Sequence, residues 1–119
     1  MNNCYNIKLI HESKTSLLNI NNCYILTLEN SDRLEHPIRK NLINLAKKTY
    51  VQYNKGYKNC EKENIKTPSQ DVLHSYYNIF NETKHLNEPI LILEDDAIII
   101  GNNEDFKEVN KFLKNNKFS

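Results

Sequence analysis

Short apolar runs alternate with stretches of helical spacing along this chain. Tyr24-Ile25-Leu26-Thr27-Leu28 has the length of a strand, and the turn and capping residues Glu29 to Asp32 close it. From Leu34 the period changes: Leu34, Ile38, Leu42, Leu45 and Ala46 share one helical face. Asp32 and Glu35 have the spacing expected of a capping pair, and Pro37 either begins this helix or kinks it. Thr49-Tyr50-Val51-Gln52-Tyr53, β-branched and aromatic, predicts a second strand. Residues 54–66 are polar, contain Gly56 and read as a loop. Thr67 then opens a second helix as its N-cap, with Pro68 at the first helical position and Gln70 completing a capping box. Val72, Leu73, Tyr76, Tyr77 and Phe80 recur at helical spacing, which reads as a core-facing stripe. After a break at Leu86 to Pro89, Ile90-Leu91-Ile92-Leu93 is short and uniformly apolar, the pattern of a buried parallel strand. Phe106, Val109, Phe112 and Leu113 mark a final helix. Residues 1–21 are weakly patterned. Ile7, Leu9 and Ile10 suit a short strand, and Asn19 to Asn22 make a polar break.

The resulting order, β-α-β-α-β-α, predicts an α/β fold with right-handed crossovers. Residues 24–28, 50–53 and 90–94 should be neighbouring strands of a parallel sheet, with helices over about 34–48 and 69–85 packed on it. At 119 residues, with no repeat and no Gly/Ser linker, the chain predicts a single domain, 1–119, with one modest core.

Charge narrows the partners. Sixteen Lys and Arg against fifteen Asp and Glu leave a formal net charge of +1, so there is no basic footprint for nucleic acid or an anionic membrane. No segment approaches the ~20 apolar residues of a transmembrane span, and no leader-length apolar run opens the chain. The expectation is a cytoplasmic protein without a transmembrane segment. Cys4, Cys23 and Cys60 are odd in number and lack ligand spacing, so free thiols are expected rather than a disulfide or a zinc site. The sequon Asn81-Glu82-Thr83 reads as chance in such a chain. His11, His36, His74 and His85 share no ligand spacing, and Cys23 has no His/Asp pattern to make it a nucleophile.

The chemistry concentrates at Glu94-Asp95-Asp96. These three carboxylates lie between Ile90-Leu91-Ile92-Leu93 and Ala97-Ile98-Ile99-Ile100, which places them at the rim of a core. Adjacent carboxylates in a partly desolvated place repel unless a cation offsets them, and hard oxygen donors suit Mg²⁺ or Mn²⁺. They also stand at the carboxyl end of the third predicted strand, where open α/β sheets bind ligands. A solvated acidic turn is the competing reading.

An acidic pair after an apolar strand also marks response-regulator receiver domains, but there the strand opens the domain; with the motif at residue 94 too little chain follows. The better match runs from residue 23 to about 100. The strand Tyr24 to Leu28, the turn with Glu29, Asp32 and Arg33, the helix from Pro68 to Lys84 and the strand closing in Leu93-Glu94-Asp95-Asp96 together resemble the family 25 glycosyltransferases, which include lipopolysaccharide and collagen galactosyltransferases. The chain departs from that pattern at Thr27, where the family usually has Asn, and at His74-Ser75, which reverses a Ser-His pair.

The resemblance implies a GT-A-like, mostly parallel sheet flanked by helices and apparently truncated. It implies a UDP-sugar donor, often UDP-galactose, a glycan or protein acceptor, and inverting transfer that depends on Mn²⁺ or Mg²⁺. Glu94 and Asp96 would hold the metal, and Glu29, Arg33 and Asp95 would contact the donor nucleotide. Arg33 also suits a solvated position at a helix N-terminus. No catalytic base is found, and the resemblance implies that it lies with the acceptor side beyond residue 119. Two functional expectations follow: a glycosyltransferase or its donor half, and a non-catalytic remnant that binds a nucleotide or a partner. In either, a homo-oligomer or partner chain would cover the surface left open.

Overall fold

The computed structural model describes residues 4–115. Its centre is a four-stranded mixed sheet in the order β1-β3-β2-β4, formed by β1 (Tyr5–Glu12), β2 (Asn22–Leu28), β3 (Lys48–Asn54) and β4 (Leu91–Glu94). The pairs β2–β3 and β2–β4 are parallel, and β1 runs antiparallel along β3. The three predicted strands are therefore neighbours, with β2 between the other two. The N-terminal segment holds more structure than its patterning suggests: β1 is an eight-residue edge strand with a register shift between Leu9 and His11.

The pleat sorts β2 and β4 to two faces. Cys23, Ile25 and Val51 join Leu18, Ile20, Leu42, Leu45 and Ala46 in one core, with Leu91, Leu93, Phe106 and Leu113 packed against it. Tyr24, Leu26 and Ile79 form the core on the other face, with Ile90 and Ile92 beside them. Covering of both faces explains why β2 and β4 read as apolar runs rather than as alternating patterns. Helix α1 (Pro68–Thr83) covers the Tyr24 face, and α2 (Asn103–Asn115) meets the Ile25 face through Phe106 and Leu113. Among the described residues, no helix is long and apolar enough to cross a membrane.

Three sequence expectations are corrected. The helix over 34–48 is replaced by a 3₁₀ turn, Arg33–Glu35, and a 3₁₀ helix, Pro37–Asn44. Pro37 has no N–H to continue a helix begun before it, and His36 is extended, its ring Nδ1 accepting from Ile38 N at 3.3 Å. Three residues per turn then bring Leu42 and Leu45 to the same side, and both are buried.

The second correction concerns the face of α1. The Thr67 cap is as predicted, with its hydroxyl accepting from Gln70 N at 3.2 Å. The buried line, however, is Asp71, Ser75, Ile79 and Thr83, whereas Leu73 (70%), Tyr77 (67%) and Phe80 (55%) are exposed. Asp71 and Ser75 turn inward because polar partners wait there, Lys62 for Asp71 and Asn54 for both.

The third correction is the cysteines. Cys4 and Cys60 form a disulfide across a sequence separation of 56. The antiparallel pairing of β1 with β3 sets Tyr5 opposite Asn54, so the residue before β1 lies beside the loop that leaves β3. Cys23 stays free and fully buried, and burial pushes its thiol up to about 12.

Candidate functional site

Parallel strands deliver their carboxyl ends to one edge of a sheet. Here β2 ends at Leu28, β3 at Asn54 and β4 at Glu94, and a cleft of about 490 Å³ opens beyond them. One wall is the turn after β4, with Glu94 and Asp95. The opposite wall is the loop leaving β3, with Lys55, Tyr57 and Lys58, and the first turns of α1 supply Asp71, Val72 and Ser75. Glu29 and Arg33 line it from the segment after β2.

The acidic triplet is divided between buried and exposed positions, with Glu94 ending β4 and Asp95 and Asp96 in the turn that follows. Asp95 is buried; its Oδ2 accepts from Thr27 Oγ1 at 2.8 Å and its Oδ1 from Arg33 Nη1 at 3.2 Å. Arg39 Nε donates to the Asp95 carbonyl oxygen at 2.9 Å, so two arginines hold this turn against the segment after β2. Glu94 and Asp96 are exposed. Glu94 Oε2 accepts from the Tyr76 hydroxyl at 3.0 Å, on the α1 side. Burial raises the Tyr76 phenol, and the Glu94 hydrogen bond and the charges of Glu94 and Asp96 add to that rise. The two expected metal ligands are thus near the same tyrosine, while the carboxylate between them is engaged by Thr27 and Arg33. Asp96 does not line the cleft.

Among the described residues, no group of three or more His, Cys, Asp or Glu side chains is gathered to hold a metal ion. The donor set of Glu94 and Asp96 nevertheless fits Mg²⁺ or Mn²⁺ chemically. Such ions keep several waters and bind through one or two carboxylates together with substrate phosphates.

A second polar assembly lies under the basic wall, and sequence reasoning missed it. The Lys62 ammonium is fully buried, donating to Asn54 Oδ1 at 2.7 Å and to the Asp71 carboxylate, and it stands 4.6 Å from the centre of the Tyr5 ring. Asn54 Nδ2 donates to Asp71 Oδ2 at 3.0 Å and to Ser75 Oγ at 3.3 Å. The Tyr5 hydroxyl and His74 Nδ1 share a hydrogen bond of 2.6 Å. Burial pushes the Tyr5 phenol up to about 12, against a Ser75 hydrogen bond and with the Asp71 charge. Burial and then the Lys62 charge lower His74, opposed by Asp71. No buried side-chain polar atom among the described residues lacks a partner. The one available signal was Asp71 in the first turn of a capped helix, which ordinarily marks favourable helix-end electrostatics. Nothing distinguishes Lys62 from the other lysines of its polar loop.

Compared with known proteins, the chain matches no protein family, no curated protein and no solved structure.

Proposed function

We propose that the cleft binds a nucleoside diphosphate sugar, as the donor site of a metal-dependent glycosyltransferase of the family 25 type on a GT-A-like sheet. The observation that carries this reading is the pair of opposed walls at the carboxyl ends of β2, β3 and β4. Acidic groups stand on one side and Lys55 and Lys58 on the other. Ligands of open α/β sheets bind at this edge. A diphosphate would meet the two lysines, whose charges attract it directly.

Glu94 and Asp96 would hold Mn²⁺ or Mg²⁺, which when bound supplies Lewis-acid neutralisation of the departing diphosphate. Tyr76 orients Glu94 through its hydroxyl. Arg33 and Thr27 fix the Asp95 carboxylate between them. Glu29 and Arg33 sit at the cleft edge within reach of a nucleotide, with Asp95 acting on it through Arg33.

A second reading, binding without transfer, is favoured by a specific feature. Of the acidic groups that line the cleft, Asp71 and Asp95 are each paired with a cation. His74 beneath it is bonded to Tyr5. Groups held this way are poor acceptors for the proton of an attacking hydroxyl.

Titration calorimetry with UDP and Mn²⁺ tests the donor site. Metal-dependent binding is expected, and Glu94→Gln with Asp96→Asn should remove the metal-dependent part. Equal UDP binding with and without the double change would reject the metal role. Radiolabelled UDP-galactose with candidate acceptors separates transfer from binding alone.

A further inference from the structure

The basic wall of the cleft is fastened at its far end. Lys55, Tyr57 and Lys58 lie between the end of β3 and Cys60. Lys55 N donates to the Cys4 carbonyl at 3.0 Å, and Asn59 N and Cys60 N both donate to the Gly56 carbonyl, at 3.1 and 2.9 Å. Gly56 has a φ of 87°, in the left-handed region, where the turn needs a glycine. The Cys4–Cys60 bond closes this small turn against β1, and two residues later Lys62 plugs into Asn54 and Asp71. The ligand-facing residues are thus stretched over a turn that the disulfide pins. Lys62 pins the loop separately, from within the fold.

We propose that Cys4–Cys60 is a redox-sensitive fastener of the basic wall, so that a dithiol reductant lowers the affinity of the cleft for a nucleoside diphosphate. This rests on the nucleotide-binding reading above. Cys4 is only 2% exposed, and Cys60 is the more open end. A thiolate of the reductant attacks the disulfide, forms a mixed disulfide and expels the other cysteine as a thiolate. The second thiol of the reductant then closes onto the mixed disulfide and releases the remaining cysteine. Two electrons pass from the dithiol to Cys4 and Cys60, which take up protons as thiols, and the reductant leaves as its own disulfide. The Lys62 tie remains, so the chain stays folded while residues 55–60 gain freedom. Ordering that wall again on binding costs affinity.

Two measurements on the full chain test this: amide hydrogen exchange, and UDP–Mg²⁺ affinity by calorimetry. Each compares the oxidised protein, the dithiol-reduced protein and the Cys4→Ser, Cys60→Ser variant. Exchange should quicken in residues 55–60 of the reduced and variant proteins and stay unchanged in β2 and β4. Affinity should fall about tenfold and return on reoxidation of the reduced protein. Unchanged exchange in residues 55–60 overturns the proposal, and so does global unfolding on reduction, which would make the bond a staple of the fold. Absence of UDP binding in the oxidised protein would reject the nucleotide-binding reading and with it the control of affinity. The exchange measurement still decides whether the bond fastens the wall.

Discussion

The two walls of the cleft are built in opposite ways. The acidic wall takes its carboxylates from two consecutive residues, Glu94 at the end of β4 and Asp95 in the turn after it, steadied by Tyr76 and by Thr27, Arg33 and Arg39. The basic wall is assembled from distant parts. Cys4 precedes β1, Asn54 ends β3, Cys60 and Lys62 lie in a loop, and Asp71 lies in α1. Exposed acids such as Glu94 contribute little to the stability of the wall they line, whereas a wall held by buried long-range ties concentrates its stability in a few side chains. Changes to the buried ties of the basic side should therefore weaken folding, with the disulfide loosening the wall as well, and changes to the exposed acids should act mainly on binding.

The contrast can be broken most forcefully at Lys62. Lys62→Met leaves Asp71 buried without its cation and should cost about 3–5 kcal/mol of stability, read from urea unfolding. Adding Asp71→Leu should recover part of that loss. Removing the disulfide by Cys4→Ser with Cys60→Ser should lower stability by about 2–4 kcal/mol, because it frees a long loop in the unfolded chain. On the acidic side, Thr27→Val takes a hydrogen bond from the buried Asp95 carboxylate and should cost about 1–3 kcal/mol. By contrast, Glu94→Gln with Asp96→Asn should shift stability by no more than about 0.5 kcal/mol, since both are exposed. If that pair destabilises as much as Lys62→Met, the contrast between the walls collapses.

The smallest expected effect is on pH. His74 is held below its ordinary value of 6.5, chiefly by burial. The folded state thus resists a proton that the unfolded chain accepts. Stability contributed by neutral His74 is complete above pH 6.5 and erodes as pH falls from there through the lowered folded value. Urea midpoints measured between pH 8 and 5 should show this slope, and His74→Gln should flatten it.

The same division separates what the sequence disclosed from what it hid. Strands β2, β3 and β4, the Thr67 cap and the acidic turn were legible because each is encoded by residues next to one another. The 3₁₀ helix was misread because Leu42, Leu45 and Ala46 satisfy a helical period while Pro37 and the extended His36 decide the backbone. The inward face of α1 was misread because Asp71 and Ser75 are buried only by virtue of Lys62 and Asn54. Cys4 and Cys60 were hidden for the same reason, since their meeting depends on β1 pairing antiparallel with β3. Three carboxylates in a row were visible. That the middle one would be tied to Thr27 and Arg33 was not, because it depends on how the turn after β4 meets β2 and the segment that follows it.

That placement has a consequence for how the segment tolerates change. Glu94, Asp95 and Asp96 carry the same functional group, yet they are not interchangeable, because the turn after β4 buries the middle carboxylate against Thr27 and Arg33 and leaves its two neighbours exposed. Exchange of Glu94 for Asp, or of Asp96 for Glu, alters only exposed side chains and should be mild. Insertion of one residue between Glu94 and Asp95 would instead carry the buried carboxylate off Thr27 and Arg33, although every acid is still in the sequence. Within these few residues, spacing from the strand is a tighter constraint than the number of acids.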